Sequence, residues 1–142
     1  MKPRLRPSPS PRRSKSGWRQ ALGGRSHREG HAAEWIAAVW LMLKGYQILA
    51  FRLKGRGGEI DILARRGRIL AVVEVKRRRT IAGAILSLGA EQHGRLTAAG
   101  QAVARSRPSL QDLNLRIDMV ALAPGRFPRH LRGVTTTGTD IA

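Results

Sequence analysis

Residues 46–76 constrain this chain more than any other stretch, because two glycine turns cut them into three segments of strand length. Arg56-Gly57-Gly58 supplies residues tolerant of positive φ between segments 46–53 and 59–65, and Arg66-Gly67 turns the chain again before segment 68–76. Turns this short leave no room for a crossover, so consecutive segments must pair antiparallel. The second segment alternates, with Ile60, Ile62 and Ala64 expected on one face and Glu59, Asp61 and Leu63 on the other. In the third, Ile69-Leu70-Ala71-Val72-Val73 is apolar without a break, the pattern of a strand covered on both faces at the centre of a sheet.

Such a strand needs helices over it. Upstream, Ala33, Ile36, Ala37, Trp40 and Leu41 recur at helical spacing within residues 28–44, and Gly45 follows as a C-terminal stop. Downstream, Leu88, Leu96, Ala99 and Val103 predict a second helix over residues 88–105, although Gly94 and Gly100 weaken it. Residues 115–123 read as a further strand ended by Pro124-Gly125, with a short edge strand near Leu131. The expectation is an α/β domain with a mixed four- to five-stranded sheet flanked by helices, in the order helix, three antiparallel strands, helix, strand.

The 142 residues are enough for one domain and leave no room for a second. Residues 1–31 hold nine basic side chains, one acid and prolines at 3, 7, 9 and 11, a composition that cannot build a core. The organisation read from this is a disordered basic arm over residues 1–27, a domain over 28–135 and a tail over 136–142. From residue 32 onward, 18 basic against 8 acidic residues still leave +10 of the total +18, so the globular part is itself suited to a polyanion. Nucleic acid is the partner implied, because every phosphate neutralised releases condensed counterions. The absence of cysteine excludes disulfides, thiolate zinc sites and thiol catalysis, and fits a cytoplasmic protein. No apolar run is long enough to span a bilayer, and no membrane partner is expected.

Chemistry concentrates at the second hairpin. If the chain turns at Arg66-Gly67, facing positions sum to about 133, which puts Asp61 near Val72 and within one pleat step of Glu74. Two carboxylates this close repel unless a cation holds them, and Mg²⁺, or Mn²⁺ in its place, suits such oxygen ligands. Lys76 lies on the face of Glu74, where an ammonium can orient a water or neutralise phosphate charge. Asp61 and Glu74 are therefore read as metal ligands and, with Lys76, as the catalytic set. Arg77, Arg78 and Arg79 follow as a phosphate clamp. Glu34, at the edge of the first helix's apolar stripe, and Gln92, on the buried side of the second, are candidates for supporting roles. Asp118 is expected to pair with a neighbouring arginine. His27 and His31 lack the third ligand that a zinc site needs.

These residues also carry a resemblance. Gly58-Glu59-Ile60-Asp61, Val73-Glu74-Val75-Lys76, Ala33-Glu34 and Leu43-Lys44-Gly45-Tyr46, with Arg116-Ile117-Asp118 and Pro128-Arg129-His130, resemble the bacterial YraN family over roughly residues 28–132. That family is similar to archaeal Holliday-junction resolvases and the PD-(D/E)xK nucleases. The resemblance implies a restriction-endonuclease-like αβββαβ core, with Asp61 and Glu74 binding metal, Lys76 as catalytic lysine and Glu34 as the catalytic acid of the first helix. Glu59 belongs to the signature without a settled role. Arg52 departs from the asparagine usual there, and Gln92 from a lysine. The function expected is a Mg²⁺- or Mn²⁺-dependent endonuclease acting on DNA, branched or otherwise structured, and compatible with a homodimer. The competing expectation is a nucleic-acid-binding module without turnover.

Overall fold

A computed structural model of the protein describes residues 25–55 and 57–135, with side chains from residue 31 onward. The arm and tail expected at the two ends fall outside these residues, except that residues 25–27 open the first helix.

Helix α1 (Arg25–Leu43) begins three residues before the expected start. It ends where expected: Gly45 adopts φ +93°, Tyr46 N–H donates to Leu41 O at 3.0 Å and Gly45 N–H to Met42 O at 3.0 Å. This pair of bonds around a left-handed glycine is a Schellman cap, which satisfies carbonyls the helix would leave open. Strands β1 (Gln47–Gly55), β2 (Gly58–Arg66) and β3 (Ile69–Arg77) then form the antiparallel meander that the turns require. A short helix α2 (Ile81–Leu86), capped by Thr80 Oγ1 accepting from Gly83 N–H at 2.9 Å, precedes α3 (Ala90–Ser106). The helix expected over residues 88–105 is α3, starting two residues later so that Leu88 lies in the connection, and α2 is an additional short helix that the sequence reading did not expect. Strand β4 (Asn114–Leu122) returns parallel to β3, and β5 (Arg129–Leu131) is the short edge strand. The sheet order is β1-β2-β3-β4-β5, a mixed α/β architecture compatible with a restriction-endonuclease-like core.

Two layers of apolar side chains hold the helices to the sheet. Ala33, Ala37, Ala38 and Leu41 of α1 meet Ile62, Ala64, Ala71, Val73 and Val120, while Leu96, Ala99 and Val103 of α3 meet Leu63, Leu70, Val72 and Ile117. Leu70, Ala71, Val72 and Val73 are all fully buried, as a central strand demands. Each large aliphatic side chain buried here contributes about 1.5–3 kcal/mol.

Three sequence expectations need correction. Ile36 is 50% exposed, because the alanines set how α1 lies on the sheet and turn Ile36 outward. The β2–β3 register sums to 135, not 133: Arg66 pairs with Ile69, so Gly67, at φ +60°, and Arg68 form the two-residue turn. Ile60 joins Leu63 in the α3 layer rather than sharing a layer with Ile62. The alternation breaks at Asp61, where the β2–β3 ladder ends and where, across β1, Arg52 holds φ +51°.

The two glycines of α3 behave oppositely. A methyl at Gly94 would meet nothing within 4 Å, whereas one at Gly100 would stand 2.7 Å from Val72 Cγ2 and 3.1 Å from Leu115 Cδ1. Gly100 is therefore a contact surface that lets helix and sheet approach. We expect Gly94→Ala to stabilise the fold by about 0.5–1 kcal/mol and Gly100→Ala to destabilise it by about 1–3 kcal/mol, both read from urea unfolding midpoints.

Candidate active site

The last β2–β3 pair is Ile62 with Val73, and beyond it the strands diverge. Asp61 fills the gap: its Oδ2 accepts the Val75 N–H at 2.9 Å, replacing the strand carbonyl that would otherwise take it. Glu74, on β3, is only 6% exposed. Its Oε2 receives Gln92 Nε2 of α3 at 2.8 Å and Lys76 Nζ at 3.2 Å. Asp61 and Glu74 line one cavity of about 250 Å³ with Gly58, Glu59, Gln92 and Arg95. The set read as catalytic, Asp61, Glu74 and Lys76, is brought together at this end of β3.

The other candidates are dispersed. Glu34, on α1, is 3.7 Å from Arg52, which reaches Glu59 at 3.9 Å. Glu34 does not line the cavity, and its link to it runs through Arg52 and Glu59. Arg77, Arg78 and Arg79 are exposed. Arg77 closes β3, Arg78 Nη1 donates to the Arg77 carbonyl at 2.8 Å, and Arg79 lines a different groove. Arg95 of α3, 53% exposed in its side chain and paired with Glu91, was not singled out by the sequence. Its position one helical turn beyond Glu91 and next to the buried Leu96 was the available signal.

Electrostatics mark Asp61. Burial raises its pKa, the Glu74 charge raises it further, and the Val75 N–H only partly offsets them, leaving it at about 7. An aspartate in the unfolded chain titrates near 4, so between about pH 4 and 7 the folded state holds a proton that the unfolded state has lost. Stability of the metal-free protein should therefore fall as pH rises through that window. Asp61→Asn removes the charge but keeps a carbonyl oxygen for Val75. We expect the wild-type stability to decline with pH relative to Asp61→Asn between pH 4.5 and 7.5, measured by urea unfolding at each pH. Equal slopes would show that Asp61 ionises normally.

The donor set suits a hard divalent cation. Asp61 Oδ1 and Glu74 Oε1 accept no hydrogen bond from any described residue, while their partner oxygens are fixed by Val75, Gln92 and Lys76. Among the described residues no three His, Asp or Glu side chains gather into a cage. Mg²⁺ keeps several waters and can be held by only one or two carboxylates.

On the opposite face of the sheet lies a second polar cluster. Asp118 is fully buried. It receives Arg116 Nε and Nη2 at 2.8 Å each, His130 Nε2 at 2.8 Å and the Gly133 N–H at 3.1 Å. Burial alone would raise its pKa, but the His130 and Arg116 hydrogen bonds outweigh it and hold the carboxyl below the usual range. His130 Nδ1 accepts from Lys44 Nζ at 2.6 Å, and Arg116 also donates to the Tyr46 hydroxyl. The cluster ties the end of α1 to β4 and β5. The expected arginine partner of Asp118 is Arg116; Lys44 and His130 stand in motifs the sequence singled out, but their meeting across 86 residues was not read from it.

Comparison with known proteins gives a consistent family. Residues 33–122 match the model of the uncharacterised protein family UPF0102. A UPF0102 protein of Caulobacter vibrioides is 52% identical over 116 residues, covering 82% of this chain and 93% of its own length. One from Maricaulis maris is 46% identical over 109 residues, 77% of this chain and 86% of the relative, and one from Mesorhizobium japonicum is 45% identical over 107 residues, 75% and 86%. The matched region contains Asp61, Glu74, Lys76 and Gln92, and the chain belongs to the UPF0102 family, the YraN family that its motifs resemble.

Proposed function

We propose that this protein is a nucleic-acid-binding, metal-dependent endonuclease that hydrolyses phosphodiester bonds of DNA. The observation that carries the reading is the pair of open carboxylate oxygens, Asp61 Oδ1 and Glu74 Oε1, in one cavity with Lys76 3.2 Å from the other Glu74 oxygen. Asp61 and Glu74 would hold Mg²⁺ or Mn²⁺, which when bound supplies an acidified water and positive charge for the phosphate. Val75 and Gln92 keep the two carboxylates aimed into the cavity, so little reorganisation is needed when substrate arrives. Lys76 places a cation beside the acids, where charge builds on the phosphate during attack. The net charge of +18 draws the polyanion in, and Arg77, Arg78 and Arg79 extend the positive surface beyond the end of β3.

A binding module without turnover is the second reading, favoured by Glu74 already being paired with Lys76 and Gln92. The two differ in their need for metal. Duplex, flapped, branched and single-stranded DNA and RNA should be incubated with the protein in Mg²⁺, Mn²⁺ or EDTA. Cleavage of any of them that EDTA stops supports the nuclease. Failure to cleave all of them, together with no calorimetric metal binding that Glu74→Ala removes, leaves the binding module.

A further inference from the structure

Where β3 and β4 end, at Arg77 and Leu122, the segments leaving them border a groove of about 700 Å³. It shares no lining residue with the acidic cavity. Arg79, Arg126 and Arg129 line it, and no carboxylate does. None of the three pairs with an acid among the described residues.

Beside them stands Phe127, 83% exposed. Its ring stacks on Trp40 of α1, with centroids 6.0 Å apart and planes 27° from parallel. The loop carrying it is braced: Pro124 and Gly125, the latter at φ +74°, form a turn closed by Arg126 N–H to Ala123 O at 3.2 Å. One face of Phe127 is thus backed by an indole, and the other is presented to solvent beside three unpaired guanidinium groups.

The geometry points to a single-stranded nucleic-acid segment in this groove, with one base stacked on Phe127 and the adjoining phosphates on Arg79, Arg126 and Arg129. Stacking needs a free base face, which paired and stacked duplex bases do not offer and an unpaired strand does. Arginines without acidic neighbours match phosphate and disfavour cationic or neutral occupants. With a single platform, the groove reads one nucleotide and its flanks rather than a long run. The inference rests on the nucleic-acid reading above but not on cleavage, since binding here needs no metal.

The test uses full-length protein in EDTA, with fluorescence anisotropy of a labelled single-stranded thymidine oligonucleotide and of a duplex of equal length. Phe127→Ala is expected to weaken single-strand binding about ten-fold and duplex binding hardly at all, while Phe127→Trp retains it. Replacing Arg126 and Arg129 together by alanine should reduce the steepness of log affinity against log salt by about 1.4 for the single strand. Photo-crosslinking through an iodinated pyrimidine should label Phe127. Phe127 is largely in solvent, so its variants should melt with the wild type. Equal losses on both nucleic acids, no loss on either, or displacement by polyglutamate with no dependence on Phe127 would overturn the assignment. None of these outcomes depends on whether the acidic cavity cleaves.

Discussion

Glu74→Ala should abolish metal-dependent cleavage, a loss of at least about 10²- to 10³-fold, while leaving nucleic-acid affinity unchanged or slightly improved. Glu74 lines the cavity, and its Oε2 anchors both Lys76 at 3.2 Å and Gln92 at 2.8 Å. Removing it takes away one of the two proposed metal ligands and releases the lysine from its partner. It also removes one negative charge from a surface that must approach phosphates, which is why binding should not suffer. Asp61→Ala should lose activity similarly, and Lys76→Ala should lose activity while keeping metal binding. Single-turnover cleavage and calorimetric titration of Mn²⁺ separate these cases. A Glu74→Ala protein that still cleaves at the wild-type rate would remove Glu74 from the chemistry.

The largest stability loss should come from the other face of the sheet. Asp118→Ala would leave Arg116 and His130 without the carboxylate that four hydrogen bonds now converge on. Breaking one side of a buried, fully bonded ion pair costs about 3–5 kcal/mol, a large part of what a domain this size has to spend. The urea midpoint should fall by that energy divided by the m-value, with little change in slope. Asp118→Asn retains the shape but not the charge and should fall between. A loss below about 1 kcal/mol would mean that solvent replaces the carboxylate, contrary to its complete burial.

How much of this could be read from the residues follows from which forces act locally. Gly45, Gly57 and Gly67 need no partner to declare a turn, and the apolar run of β3 declares burial on both faces, so the meander and the end of α1 were legible. Asp61, Glu74 and Lys76 were legible because a hairpin joins them. The register was missed by two positions because alternation cannot say which two residues form the corner, and Gly67 with Arg68, not Arg66 with Gly67, form it. Ile36 was misplaced because small residues, not large ones, decide how near α1 lies to the sheet. The six-residue α2 is too short to show a period. Lys44 and His130 were visible as motif residues but not as a pair, and Phe127 not at all, because each acts through contacts across the fold that no local pattern encodes.

The carboxylate that takes the place of a strand carbonyl at Val75 has a practical consequence. In an ordinary ladder, a backbone amide reports only that the strands are paired. Here the amide proton of Val75 is bonded to a group that can be ionised or protonated and that, under the proposed function, would hold a cation. Its NMR resonance should shift with each of those states, while its neighbours in β3, bonded to carbonyls, stay in place. One backbone signal thus reads out the charge state of the cavity without a substrate, a label or turnover.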